Sequence, residues 1–421
     1  MIPKRAILVF GTFLLSVLLY VDRACIATAK ESITGDLQLS DTQWGWVMSA
    51  FALGYAFFQT PTGAIADRFG PRILLSSVVV LWSLFTGLTG MVRGFLSLFV
   101  VRLLFGAGEA GAFPGMARAV YSWIPMSERG LAQSINFSGS RLGAAFAMPL
   151  VTWLLVTTGW RNMFLILMGV GFVWAVFWFL WFRDEPTQHP RISDTEKQFI
   201  LTQRQQSDAA QKQHVPFGLM ARSRNMWMVM IQYFCSNFTF FFALSWLFPH
   251  LKKTYGLDTM QTGLYISAPF IGGAIGSLCA GWLMDRVYKQ GKWQMSRRLP
   301  AMIGFALAAT GLLMSLAMKT PMGAVFWFTV AIFGADMTLS PSWSFCTDIG
   351  RKNAGAVSGT MNMAGNIGSL VTSLAFPYLT QWTGSTTPFF FVAAGLNVLA
   401  IVLWSQMKSD KPLELESSSF S

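Results

Sequence analysis

Charge is what this sequence has least of. Asp, Glu, Lys and Arg make up 12% of its 421 residues, about half the share of an average soluble domain. So few charges cannot clothe a soluble particle of this length. Cysteine is scarce as well: Cys25, Cys235, Cys279 and Cys346 all fall in apolar stretches with no paired spacing, which excludes a disulfide framework or a thiolate metal knuckle. The three histidines, His189, His214 and His250, are scattered without ligand spacing, so neither a metal nor another cofactor is expected. There is no H-E-x-x-H, no G-x-S-x-G and no phosphate loop, which argues against an enzyme.

What the sequence does have is long hydrophobic blocks: 53% of the chain is hydrophobic and 15% aromatic. The blocks run to about twenty residues, the length that crosses about 30 Å of hydrocarbon at about 1.5 Å per residue. The pattern predicts an all-α polytopic membrane protein with twelve spans, at 6–29, 42–66, 72–91, 95–117, 130–156, 160–182, 226–250, 260–284, 297–318, 321–347, 354–378 and 386–407. The first block is too long for a cleavable signal and carries Asp22-Arg23. The 38 glycines suit close helix packing in lipid. The sequons at Asn136 and Asn237 fall inside spans and are read as accidental.

The net charge of +12 invites a nucleic-acid reading, but its placement gives it another meaning. With the N-terminus inside, 22 of the 31 Lys and Arg lie in cytoplasmic segments, six lie outside, and Arg23, Arg102 and Arg141 lie within spans. That is the positive-inside bias of a multi-pass inner (plasma) membrane protein with both termini cytoplasmic. No nucleic-acid partner is expected. The partners are lipid, a small solute and its coupling ions, and the working form is a monomer.

The longest interruption, 183–225, separates six spans from six, so the expected organisation is 1–182, a linker 183–225, 226–407 and a tail 408–421. The linker contains S-D-T-E at 193–196, the spacing of a helix capping box, and the end of the tail, 411–421, reads as disordered. Each half repeats a motif after its second span: G-x-x-x-D-R at Gly63, Asp67 and Arg68, and again at Gly281, Asp285 and Arg286, 218 positions on. A fainter echo sets Glu109 five residues before Pro114 and Asp336 five before Pro341, in the fourth span of each half. Repeats of this kind point to two pseudo-symmetric six-helix bundles that rock about a central site. Asp67, Arg68, Arg72, Asp285, Arg286 and Asp348 lie at the inner ends of spans and are read as gating residues.

Charges inside spans must face a cavity and find partners. Helical rise places Asp22 and Arg23 about 25 Å from the cytoplasmic edge, Arg102 about 10 Å and Glu109 about 21 Å below the outer edge, and Arg141 near mid-depth. Arg23 and Arg102 then share one height, and Glu109 and Arg141 a deeper one. Two arginines at one depth suit an anion, because a guanidinium fork matches a carboxylate bidentately. The acids Asp22, Glu109 and Asp336 are candidates for proton coupling, since desolvation favours the protonated form and a neighbouring arginine the ionised one. Glu109 ranks first, being deeper and without an adjacent arginine, whereas Asp22 is expected to exchange an arginine partner for a proton. Mutually satisfied ion pairs that lock the bundle are the alternative. Tyr20, Tyr55, Gln59, Tyr233, Asn237, Ser340, Ser342, Trp343, Asn362 and Asn366 together form a polar set suited to a polyol, although each alone reads more readily as a helix–helix hydrogen bond or an interfacial aromatic.

The doubled G-x-x-x-D-R, the longer first copy with Gly70 and Arg72, and the 6+6 layout resemble the major facilitator superfamily. "YVDRACIATA", "RLLFGAGEAGAFPG" and "SPSWSFCTDIGRKNAGAVSGTMNMAGN" resemble, within it, the anion:cation symporter family, which includes bacterial uptake systems for hexonates, hexuronates and hexarates and animal carriers of sialic acid or glutamate. The resemblance implies the major facilitator fold, Arg23 and Arg102 on substrate, and Asp22 and Glu109 on protons. It supports Tyr20, Tyr55, Ser342, Trp343 and Asn362 most among the polar set. Arg141 stands where others carry a neutral residue, and Asp336 is not universal. The expectation is a proton-coupled symporter that takes up an organic anion of the sugar-acid class by alternating access. The alternatives are an exporter or uniporter on the same fold, and a channel.

Overall fold

A computed structural model describes residues 3–205 and 217–413 of the chain. Among them every regular element is helical: α1 Lys4–Thr28, α2 Lys30–Leu37, α3 Asp41–Phe69, α4 Pro71–Thr89, α5 Phe95–Glu109, α6 Ala112–Trp123, α7 Arg129–Trp181, α8 Asp194–Gln203, α9 Phe217–Arg222 and α10 Arg224–Ser245. They continue as α11 Leu247–Tyr255, α12 Thr259–Lys289, α13 Trp293–Leu316, α14 Pro321–Met337, α15 Leu339–Gly350, α16 Ala354–Thr383 and α17 Thr387–Gln406, with short 3-10 turns at Pro186–Gln188 and Arg351–Asn353.

Nine helical stretches among the described residues are long and apolar enough to cross a membrane, one of which, Pro321–Thr383, joins two of the expected spans. Large apolar side chains such as Phe57, Val156, Val173 and Trp382 stand mostly exposed, as they must where the surrounding solvent is hydrocarbon. The expected span 42–66 lies in α3, and 130–156 and 160–182 both lie in α7, whose helical dihedrals break at Gly159 (φ 78°).

The expected fourth and tenth spans are each two helices. Proline has no N–H to give and its ring clashes with the carbonyl four residues back. Pro114 therefore ends α5 at Glu109, and Pro341 ends α14 at Met337. The faint acid–proline echo in the sequence has this structural meaning: Glu109 and Asp336 sit in the last turn before a break.

By contacts the chain divides into two compact units that differ from the sequence halves. The first is Met1–Pro125, Gly139–Gln206 and Lys352–Gly359; the second is Met126–Ser138, Ser207–Arg351 and Thr360–Ser421. In the first unit α3 and α5 touch backbone to backbone. A methyl on Gly54 would lie 2.1 Å from the Leu103 oxygen, and one on Gly106 would lie 2.2 Å from the Phe51 oxygen. An apolar cluster around Ile26, Val47, Leu98, Val151 and Phe164 fills one end of this unit, and in the second unit Phe238, Phe242, Phe328, Phe376, Phe389 and Phe390 form a ring-rich counterpart.

The S-D-T-E capping expectation is met by Ser193, whose side chain accepts from the Glu196 N–H and starts α8. Glu196 does not return to Ser193. Its carboxylate accepts the Lys4 and Arg5 backbone N–H groups at 2.9 and 3.1 Å, capping α1 from the linker. Of the tail expected to be disordered, residues 411–413 are described and Leu413 N–H donates to the Ile349 carbonyl at 2.9 Å. Residues 414–421 and linker residues 206–216 lie outside the described residues.

Candidate functional site

The intramembrane charges of the first unit converge where α1, α3, α4 and α5 meet. Arg23 lies in an aromatic cage, with Tyr55, Phe51 and Tyr20 centroids 4.6, 5.2 and 5.3 Å from its guanidinium carbon. Its Nε donates to Glu109 Oε1 at 2.6 Å and its Nη2 pairs with the same oxygen. Glu109 is fully buried, while Arg23 retains some exposure. Arg23 thus pairs with the acid that helical rise places deeper, its long side chain reaching across the offset.

Arg102 differs. It is 3% exposed, lies over the rings of Phe51 and Phe105 at 5.0 and 4.7 Å, and its Nε has no hydrogen-bond partner. No ion pair holds it among the described residues. Phe51 thus touches both arginines, and the α3–α5 glycine contact is what brings it there.

Asp22 is not paired with an arginine either. Its Oδ2 accepts from the Trp82 indole at 3.0 Å, its Oδ1 has no partner, and Cys25 donates its thiol to the Asp22 backbone carbonyl at 2.8 Å. In this structure Glu109 holds the arginine and Asp22 does not.

Gln59 lies one turn beyond Tyr55 and is fully buried in the first unit. Arg141 is 8% exposed on α7, between Gly139 and Gly143, which pack against Phe13 and Val17 of α1.

The second unit holds a separate polar group. Trp343 donates to the Tyr233 hydroxyl at 2.9 Å, and Ser342 donates to Gln232 Oε1 at 3.2 Å and to the Thr338 carbonyl at 2.6 Å. Gln232 also accepts from Trp404 at 3.1 Å. Asn237 and Asn366 each donate, within their own helix, to the carbonyl four residues before, of Tyr233 and Asn362, at 3.0 and 2.8 Å. Ser340 shares a hydrogen bond with Ser134 at 2.6 Å, and the buried Asp336 carboxylate abuts Gly273.

The repeated Asp-Arg motif acts through its aspartates on helix N-termini. Asp67 accepts the Gly355 and Ala356 N–H groups at 2.9 and 2.8 Å, and Asp285 accepts those of Gly130 and Leu131 at 2.9 Å each. A carboxylate there satisfies orphan N–H groups and meets the positive end of the helix dipole. The motif arginines do not pair with these acids: Arg68 lies over Phe69 and Arg286 over Trp282, and it is Arg118 that stands 3.9 Å from Asp67. Arg72 is likewise engaged locally, donating Nε to the Phe179 carbonyl while its backbone N–H goes to Asp184. Burial pushes the Asp184 carboxyl above the usual carboxylate range, and the Arg72 N–H partly offsets this. Asp348 is fully buried, bonded to Arg129, to Arg297 at 2.8 Å and to the Trp293 indole at 3.0 Å.

Sequence reasoning missed Phe51, Phe105, Trp82 and Gln232. For Trp82 a signal existed: it stands at the middle of its span, whereas membrane tryptophans favour the interfaces. The others looked like ordinary span residues.

Helices long enough to span a bilayer, together with buried arginines and carboxylates gathered inside one bundle, define a polytopic membrane carrier. The chain belongs to the Major Facilitator Superfamily, whose family model matches residues 12–373, and it is a transporter rather than an enzyme. It is 35% identical to a probable sulfoacetate transporter, SauU, of Cupriavidus necator, covering 91% of this chain and 89% of that one. It is 28% identical to a hexuronate transporter of Bacillus subtilis over 92% and 91% of the two chains, and 30% identical to a probable galactarate/D-glucarate transporter, GarP, of Escherichia coli over 99% and 97%. The fold is similar to that of the transporter FucP in its outward conformation, with a TM-score of 0.74 at 14% identity over 95% and 98% of the chains.

Proposed function

We propose that this transporter takes up an organic anion, of the sugar-acid or short sulfonate class, together with protons by alternating access. The observation that carries the reading is Arg102, a buried guanidinium held by two phenyl rings and by no carboxylate. A charge at that depth is costly without a close ion pair, and an entering anion supplies one. Relatives named for sulfoacetate, hexuronate and galactarate or glucarate carry anions of that kind.

The Arg23–Glu109 pair gives the coupling a physical form. Substrate carboxylate and Glu109 compete for one guanidinium, so substrate gains Arg23 when Glu109 takes a proton, and each ligand favours the other's binding. Asp22 is the second proton site. Import, the cytoplasmic placement of both termini and the monomeric working form belong to the same reading, supported by the positive-inside distribution for the topology.

The test is a thermal-shift panel on purified protein with sulfoacetate, galactarate, glucarate, galacturonate, galactonate, simple dicarboxylates and neutral sugars. A ligand at a hundred times its Kd stabilises by about 2.7 kcal/mol. A shift with one acidic class, followed by proton uptake with that compound in proteoliposomes, supports the reading. A shift confined to neutral or cationic compounds overturns it.

A further inference from the structure

Among the described residues of the first unit, Trp82 is the one buried tryptophan whose indole donates to a side chain. Trp123, Trp174 and Trp178 donate to the backbone carbonyls of Arg183, Gly11 and Pro71 at 2.8, 3.1 and 3.4 Å. Trp82 instead donates to Asp22 Oδ2 at 3.0 Å, and both residues are almost wholly buried. We propose that Trp82 is the positioning residue of the proton site, its indole N–H turning the Asp22 carboxyl toward α4 so that Arg23 is left to Glu109 and to the substrate anion. The inference rests on the reading of Asp22 as a coupling acid.

The chemistry of the donor matters. Trp82 carries no charge and titrates at no working pH, so it can hold Oδ2 whether Asp22 is ionised or protonated. Oδ1, buried and without a partner, is left as the atom that takes the proton. An arginine in the place of Trp82 would hold the carboxylate by charge, and the substrate anion would compete for it. The other groups facing Asp22 are Glu109 and Arg102 from α5 and Cys25 from its own helix.

Infrared pH titration of the detergent-purified protein tests the link. The carboxylic C=O band that is lost in Asp22→Asn belongs to Asp22, and its midpoint is read in the wild type and in Trp82→Phe. A hydrogen bond to a charged acceptor corresponds to a midpoint shift of about one to two pH units, so Trp82→Phe is expected to move the midpoint that far toward alkaline pH. A packing role would leave it where it was, and an unmoved midpoint overturns the proposal. Should Trp82→Phe not fold, site-directed incorporation of β-(3-benzothienyl)alanine at position 82 keeps both rings and removes the N–H, with the same two outcomes. The underlying reading is tested separately by proton-driven accumulation in Asp22→Asn. Loss of accumulation with an unmoved infrared midpoint overturns the role of Trp82 alone; accumulation that survives overturns Asp22 as a coupling acid and this inference with it.

Discussion

Arg23 gives its guanidinium to Glu109, eighty-six residues away, and not to Asp22, its neighbour in the chain. Successive residues on a helix point about 100° apart, so adjacent opposite charges serve different partners. Here they serve an acid on α5 and an indole on α4.

Glu109→Gln removes the carboxylate that competes for Arg23. Exchange of substrate across the bilayer is expected to persist while proton-driven accumulation is lost, measured by counterflow and by pH-gradient-driven uptake in proteoliposomes. Accumulation at the wild-type level would move the coupling to Asp22 or Asp336.

Arg102→Met should separate stability from binding. Replacing a buried charge that no ion pair holds with an apolar side chain of similar length is expected to leave stability unchanged or raise it. The same change should cost the anion about 2–5 kcal/mol of binding. Thermal unfolding with and without the anion selected by the panel reads both. A lower melting temperature with an intact ligand shift would show the arginine to be structural.

Asp67→Ala and Asp285→Ala each strip a helix N-terminus of its two-point cap. Each is expected to lower stability by about 1–3 kcal/mol, and the corresponding Asn variants, which keep one acceptor oxygen, by less. Thermal unfolding of the four variants checks this. Equal melting temperatures for Asp67→Ala and wild type would mean that water replaces the carboxylate at no cost.

Gly70→Ala is expected to destabilise on two counts. Its φ is 82°, and an added Cβ would lie 2.5 Å from the Asp184 carboxyl. With ψ at 155° this is backbone that essentially only glycine adopts, costing another residue on the order of 1–3 kcal/mol, and the clash adds to it. Gly70→Ala combined with Asp184→Ala should recover the second part and not the first, as thermal unfolding of the single and double variants will show.

Much of the site was legible because charge in a span is rare enough to be informative. Asp22, Arg23, Arg102 and Glu109 were found that way, and the acid–proline echo marked two real helix breaks. Partner choice was not legible. It depends on rotation between helices, which the glycine contact between α3 and α5 fixes and which helical rise alone does not report. The aromatic cage was invisible for a related reason: Phe51 and Phe105 look like any phenylalanine in a span until the arginines are placed beside them.

By itself the sequence determined the spans, the doubling and the family, because hydrophobic length, charge placement and local motifs are one-dimensional properties read by the bilayer and the backbone. The tertiary structure decided which acid holds Arg23, that Arg102 goes without one, and that Asp22 faces an indole. Those outcomes rest on distances of a few ångströms between side chains remote in sequence, and only packing sets them.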